Sequence, residues 1–284
     1  MSSCSSVLAA LASRKRAGEL LRADEALERL TSFDHLASLL STAEAPALLD
    51  GAVPERRACS HAQLHDFVER ELREQLEACG VVSGDRVALL FPNGPTLACA
   101  ILGVLAYCAV APLNPANTAE EIAAELDGVR ATVVLATDVA RVAKATSLSA
   151  SVRVVVEAKP SQDIAGLFDL LLPESAPTGG VPRLAPLRRE CTAMVLHTSG
   201  TSGRRKVVPH LLEDLVAGCL MIGVRAGVAR AREGRRCRTH AARAAPAVAR
   251  GPDLPRWWLL CTPPPTVHPR FAPPPPPAHR HRAS

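Results

Sequence analysis

The sequence predicts an α/β domain with a largely parallel sheet, followed by a proline- and arginine-rich tail with little regular structure. Short apolar runs alternate with amphipathic segments between residues 60 and 156, the pattern of strands separated by helices. Hydrophobic residues make up 48% of the 284 residues, which is enough for a large core, although aromatic residues are only 3%. Charge and proline content change abruptly after residue 223, where we expect the packed domain to end.

These shifts divide the chain into three parts. Residues 1–30 mix basic and acidic side chains with an apolar stretch, Val7 to Ala12, that is too short for a secretory signal, and we interpret them as a helical extension. Residues 31–223 form the predicted domain; residues 1–223 together carry 21 basic and 26 acidic residues, a net charge of −5. Residues 224–284 carry 12 basic and two acidic residues, a net charge of +10, together with 12 of the 24 prolines.

The first predicted elements are a helix and a strand. Ser60 and Gln63 have the spacing of a capping box, and the helix they open continues to Leu76 and stops at Gly80. A turn then leads into Val87 to Phe91, a continuous apolar run typical of a strand covered on both faces.

A long apolar segment follows the turn at residues 92–95. The run from Leu97 to Ala111 has 15 residues, fewer than the roughly 18 that nominate a membrane span, so we interpret it as a buried core helix. Residues 112–115 break the chain. Thr118 and Glu121 then form a second capping box, for a helix ending near Gly128.

Two more strands complete the predicted alternation. Thr132 to Leu135 and Val152 to Val156 are β-like runs, and a short helix is expected after Asp138. Residues 160–190 contain several prolines and glycines and are interpreted as a long surface connection. Beyond them, Thr192 to Leu196 is a further strand, and a helix is expected to begin near Leu211.

The segment between that strand and that helix has the composition of a phosphate-binding loop. Glycines let backbone N–H groups approach an anion, hydroxyls donate hydrogen bonds to its oxygens, and a lysine adds positive charge. The candidate phosphate-binding residues are Thr198, Ser199, Gly200, Thr201, Ser202, Gly203 and Lys206. The loop is not a Walker A motif, because its glycine spacing differs and no Gly-Lys-Ser/Thr triplet occurs. The alternatives are a Ser/Gly-rich surface linker for the loop and a solvated lysine for Lys206.

The loop resembles the phosphate-binding signature Thr-Ser-Gly-Thr-Thr-Gly-x-Pro-Lys-Gly of the adenylate-forming superfamily, which includes acyl-CoA synthetases. Leu196-His197 before it and Val208-Pro209 after it look most like the oxalate:CoA ligase branch. Two positions depart from the signature, with Arg205 where proline is usual and Val207 where glycine or alanine is usual.

The resemblance extends upstream and covers roughly residues 31–220. Segments similar to the first third of the family occur in the family's order at Gly84 to Leu89, Pro92 to Gly94 and Ala111 to Pro115. The resemblance therefore implies the incomplete N-terminal domain of an adenylate-forming enzyme. It also implies ATP, magnesium and CoA as cofactors or co-substrates, and a small carboxylic acid as substrate.

In the family, a carboxylate attacks the α-phosphate of ATP to give an acyl-adenylate, and a thiol then displaces AMP. The family places its magnesium, adenine and ribose motifs and a lid lysine after the loop, and we find no counterpart to them after about residue 220; Lys206 is the last lysine. We therefore expect a truncated AMP-forming acid:thiol ligase that is inactive as it stands, with no catalytic or metal-binding residue assigned. The alternative is a catalytically dead nucleotide-binding protein that uses its basic tail to bind partners.

Three interpretations of the tail remain open: a basic arm, an SH3-type ligand, or a non-native translation product. Nucleic acid is not the favoured partner.

The nine cysteines lack metal-like clustering and are interpreted as buried thiols of a reducing compartment; Cys191 lacks an orienting base. No membrane span is expected, and the oligomeric state is left open. We expect a cytoplasmic location, because the family's peroxisomal alternative has no C-terminal signal here.

Overall fold

The computed structural model describes residues 28–173, 183–198 and 206–226, with side chains described as far as residue 222. Most of the predicted extension 1–30 and of the predicted tail 224–284 lies outside these ranges. Residues 28–32, at the end of the predicted extension, are helical. The described residues form a sheet with helices packed on it, which confirms the predicted α/β fold class.

Within the described ranges, seven strands form one mixed sheet in the order β7-β6-β5-β3-β4-β8-β9, and two form a separate antiparallel pair. The strands are β1 Pro46–Leu48, β2 Cys59–Ser60, β3 Arg86–Leu90, β4 Ala109–Pro112, β5 Val133–Ala136, β6 Val154–Pro160, β7 Phe168–Leu171, β8 Thr192–Thr198 and β9 Lys206–Leu211. The five inner strands are parallel, and each edge strand is antiparallel to its neighbour. The predicted largely parallel sheet is therefore confirmed.

Helices cover both faces of the sheet. They are α1 His61–Asp66, a π-helical turn Phe67–Glu71, α2 Leu72–Ala78, α3 Pro95–Leu105, α4 Ala119–Val129, α5 Val139–Leu148 and α6 Leu212–Ala226. One core packs α4 and α5 against the sheet through residues such as Ile122, Leu126 and Val142. The other packs the remaining helices against the opposite face, where Leu72 and Val104 are fully buried.

Both predicted capping boxes are present. The Gln63 N–H lies 3.1 Å from Ser60 Oγ, and the Ser60 N–H donates to Gln63 Oε1 at 3.0 Å. At α4, the Glu121 N–H donates to Thr118 Oγ1 at 3.2 Å and the Thr118 N–H donates to Glu121 Oε2 at 3.0 Å. These contacts are local in sequence, which is why the spacing alone predicted them.

The predicted core helix over residues 97–111 is only partly right. The helix ends at Leu105, and Ala109–Pro112 is strand β4, which lies between β3 and β8 at the centre of the sheet. Both pieces are almost completely apolar, and periodicity cannot separate a buried helix from a buried strand. The Tyr107 hydroxyl fixes the turn between them, since it lies 3.0 Å from the Val68 carbonyl oxygen in the π-helical turn. Burial raises the pKa of this hydroxyl to about 12.

The surface connection predicted for residues 160–190 is also wrong in part. Phe168, at the start of β7, is 2% exposed, and its ring packs edge-on against Phe67 and Phe91 with centroid separations of 5.2 and 5.8 Å. Leu184 is equally buried. A short strand set among glycines and prolines gives a weak sequence signal, although it completes the core. Residues 174–182 lie outside the described ranges.

A buried carboxylate ties the strand beginnings together at the amino edge of the sheet. Asp85 is 6% exposed, accepts from Thr132 Oγ1 at 2.7 Å and from the Val82 N–H at 2.8 Å, and pairs with Arg153. It stands just before β3, next to Gly84 with a φ of 96°, a left-handed conformation that favours glycine. The cluster is far from the carboxyl edge, where ligands bind in open α/β sheets.

Candidate functional site

A β-hairpin holds the two ends of the predicted phosphate loop. Strands β8 and β9 pair antiparallel, and Thr198 opposite Lys206 is the last pair before the loop. Residues 199–205, including Ser199, Gly200, Thr201, Ser202 and Gly203, lie outside the described residues. The described structure therefore brings together the first and last of the seven predicted site residues.

The hairpin sends alternate side chains to the two faces of the sheet. Val195 belongs to the core beneath α4, whereas Met194 and Leu196 belong to the opposite core. By the same alternation, Thr198 and its cross-strand partner Lys206 lie on the face of Leu196. Lys206 is exposed, and Thr198 is half-buried. A hydroxyl and an ammonium thus flank the base of the loop on one face.

His197, the residue before Thr198, lies on the other face. It pairs with Val207, and both side chains approach Gly128 near the end of α4. The imidazole is half-buried, and this burial lowers its pKa below the ordinary value of 6.5. His197 is therefore a neutral ring at neutral pH, packed between the hairpin and the helix.

The helix after the loop does not present its N-terminus to a bound phosphate. The helix predicted to begin near Leu211 is confirmed, since α6 begins at Leu212, but the six residues of β9 separate it from the loop by about 20 Å at the rise of an extended chain. At the start of α6, the Leu212 N–H donates to the Cys191 carbonyl and the Glu213 N–H to the Arg189 carbonyl, each at 3.0 Å. These two N–H groups are therefore occupied by carbonyl groups of residues 189–191.

Arg189 anchors this end of α6. Its guanidinium lies 3.4 Å from Glu213, faces the Phe33 ring at 5.1 Å, and donates to the Leu30 carbonyl at 3.3 Å. It therefore connects the 28–32 helical segment with β8 and α6.

A polar network lies at the carboxyl end of β4, the parallel neighbour of β8. The Asn114 amide donates to Asn117 Oδ1, and the Asn117 amide donates to Glu125 Oε1, both at 3.1 Å. Glu125 is only 6% exposed and lies on α4. Glu125 was not among the candidate residues, because nothing in the sequence spacing marks a helical glutamate as buried. The network fixes the 113–118 connection beside the edge that carries the phosphate loop.

The cysteine prediction is largely confirmed for the described residues. Cys59, Cys79, Cys99 and Cys108 are buried, and burial raises the pKa of each thiol, to about 11 for Cys79 and about 12 for Cys108. These thiols are protonated and unreactive at neutral pH. Cys191 is partly buried, whereas Cys219 on α6 is exposed, contrary to the prediction.

Among the described residues, no three His, Cys, Asp or Glu side chains come together as a metal site. Within these ranges no helix combines the length and apolarity needed to cross a bilayer.

Comparisons with known proteins agree with the fold. The sequence model of the AMP-binding enzyme family matches residues 37–240. An oxalate–CoA ligase of Arabidopsis thaliana is 32% identical over 167 residues, which cover 55% of this chain and 32% of that protein. A probable CoA ligase of Humulus lupulus is 33% identical over 154 residues, 53% of this chain and 29% of that protein. The chain thus spans about a third of the length of these curated relatives.

Among solved structures, the ATP-bound RpMatB–BxBclM chimera is similar in fold. It matches with a TM-score of 0.50 and 23% identity, covering 66% of this chain and 37% of the chimera.

Proposed function

Because the chain belongs to the AMP-binding enzyme family, we propose that it provides the ATP-phosphate site of an AMP-forming acid–CoA ligase. The observation that carries the proposal is the hairpin. It pairs Thr198 with Lys206 at the base of a loop rich in hydroxyls and glycines, inside the segment that the family model matches. An antiparallel ladder beneath a loop holds its ends at a fixed separation, which a flexible linker would not do.

The loop residues would contact the β- and γ-phosphates of ATP in three ways. Hydroxyls donate to phosphate oxygens, glycines allow close approach of the backbone N–H groups, and an ammonium neutralises charge. The hydroxyl donors are Thr198, Ser199, Thr201 and Ser202. The glycines are Gly200 and Gly203, and the ammonium is that of Lys206. Arg205 adds positive charge beside Lys206 but lacks the φ restraint of the usual proline.

The proposed reaction is acid activation followed by thiol transfer. A carboxylate oxygen attacks the α-phosphorus of ATP, the acyl-adenylate forms and pyrophosphate leaves; the CoA thiol then displaces AMP. The identity to the Arabidopsis oxalate–CoA ligase supports oxalate or a similar small acid as the substrate. Holding the phosphates in place contributes directly, because this chemistry depends on positioning and charge neutralisation.

We further propose that the 284-residue polypeptide binds triphosphate but does not complete this reaction. Among the 284 residues no lysine follows Lys206, whereas the resemblance implies a lid lysine after the loop. A missing electrostatic group of this kind costs about 10²–10³ in rate. No step of the proposed reaction is assigned to magnesium.

Calorimetric titration of the chain with inorganic triphosphate, ATP and GTP tests the proposal. Without the adenine and ribose contacts, we expect similar dissociation constants for all three, on the order of millimolar, or about −4 kcal/mol. Lys206→Ala and Thr201→Ala should each weaken binding about fivefold to tenfold, since each removes a hydrogen bond to an anion worth roughly 1–1.5 kcal/mol.

Lys159→Ala is the matched control, because Lys159 is an exposed lysine on β6, which three strands separate from β8. All variants retain the basic tail, so nonspecific polyanion binding cancels in the comparison. Equal affinities for the wild type, Lys206→Ala and Thr201→Ala would overturn the proposal.

A further inference from the structure

Gly128 stands at a position where the helix itself gives no reason for glycine. It is the penultimate residue of α4, and a glycine inside a helix costs about 0.5–1 kcal/mol relative to alanine. A glycine near a helix end commonly supplies the left-handed residue that closes the helix. Here that conformation belongs to Arg130, with a φ of 55°, and Gly128 is not among the residues with positive φ.

The space around Gly128 gives the reason. A Cβ atom at this position would lie 3.3 Å from His197 Nε2 and 3.9 Å from Val207 Cγ2. The first distance is tighter than an ordinary van der Waals contact between carbon and nitrogen. At Gly218, which is also helical, no atom lies within 4 Å of the same point. Gly128 therefore leaves a gap on α4 that the side chains of His197 and Val207 occupy.

The gap at Gly128 lies beside the end of the hairpin from which the loop extends. His197 and Val207 are cross-strand partners, and the next pair is Thr198 and Lys206, where the loop begins and ends. The space that a Cβ of Gly128 would fill thus lies beside side chains of both strands, one residue pair from the loop. A ring that is held on α4 at this point limits how far the hairpin end can tilt or slide.

We propose that His197 is a positioning residue for the phosphate loop, seated in the gap at Gly128 so that the loop base is fixed against α4. The inference rests on the proposed function, because it concerns the same loop, but its geometric part is tested separately. His197 contacts no phosphate in this account and acts through the backbone of Thr198. The burial that lowers the pKa of His197 keeps the ring uncharged in this apolar seat.

Substitutions that fill the gap at Gly128 test the proposal. Two properties of the full chain are measured, the backbone amide NMR signals and the affinity for triphosphate. Gly128→Ala and Gly128→Val should shift the backbone amide NMR signals of Thr198 and Lys206. They should weaken triphosphate binding by about threefold or more, in line with the energetic coupling between residues in contact. Gly218→Ala, in a helix with open space, is the control and should leave both readouts unchanged. His197→Ala removes the ring, so Gly128→Val should have a smaller effect on the amide signals in that background.

The outcomes separate the two proposals. If the wild type binds no triphosphate, the proposed function fails, and the amide signals alone decide the positioning role. If Gly128→Ala leaves the Thr198 and Lys206 signals where Gly218→Ala leaves them, the positioning role is overturned, whatever the affinity. Equal effects of Gly128→Val with and without the His197 ring would overturn it as well. Should Gly128→Val fail to fold, Gly128→Ala and His197→Ala provide the same comparison.

Discussion

Replacing Phe168 by alanine tests the part of the fold that differs most from the sequence expectation. Phe168 is 2% exposed and forms edge-to-face contacts with Phe67 and Phe91. Truncating a buried phenylalanine to alanine costs about 3–5 kcal/mol, through lost transfer free energy and the cavity left behind. Because two aromatic contacts are lost as well, we expect a value near the middle of that range, about 4 kcal/mol. This is a large share of the roughly 5–15 kcal/mol that stabilises a domain.

Urea unfolding followed by far-ultraviolet circular dichroism measures this loss. The matched control is Leu171→Ala in the same strand, where the side chain is 44% exposed and we expect a loss below about 1 kcal/mol. The midpoint for Phe168→Ala should fall with little change in the slope against urea. Equal losses for the two variants would refute the buried position of β7 and restore the interpretation of residues 160–190 as a surface connection.

Three further predictions follow from the described contacts. Gly103→Ala should destabilise the chain by about 1–3 kcal/mol in urea unfolding, since its Cβ would lie 2.2 Å from Leu72 Cδ2 in the core; an unchanged midpoint would contradict that packing. Burial lowers the pKa values of His197 and His210 in the folded chain. At pH values near and below the ordinary pKa of 6.5, the unfolded chain therefore binds more protons than the folded chain. The free energy of unfolding should consequently fall as the pH decreases from about 7 to about 5. Gln at both positions should flatten that dependence, and an equally steep profile would count against it. Pyrophosphate release with oxalate and ATP should not exceed that of Lys206→Ala in a coupled assay; acid-dependent release above this control would show that the chain turns over.

Local features of this fold could be predicted from the sequence. The capping boxes at Ser60 and Thr118 join residues three positions apart, so their spacing alone located the starts of α1 and α4. The buried strands β3 and β5 were visible as short apolar runs between turns. Each of these features is specified by residues within a single helical turn or a single strand, so the sequence pattern alone locates it.

Features that depend on distant partners could not be predicted. The strand β4 continues the apolar run of α3, and only its pairing with β3 and β8 distinguishes it. The strand β9 lies between the loop and the helix expected near Leu211, and it was not predicted because only its pairing with β8 identifies it. For the same reason, Thr198 and Lys206 could be predicted from the loop composition, but the approach of the His197 side chain to Gly128 could not. These two residues are almost seventy positions apart in the sequence.

The central claim is that the β8–β9 hairpin carries a phosphate-binding loop. It is tested most directly by titrating the ¹⁵N-labelled chain with inorganic triphosphate and following the backbone amide signals. We predict that the largest shifts occur at residues 198–206, that they saturate with a dissociation constant on the order of millimolar, and that Lys206→Ala reduces them. Shifts confined to residues 224–284, or no shifts at residues 198–206, would contradict the claim.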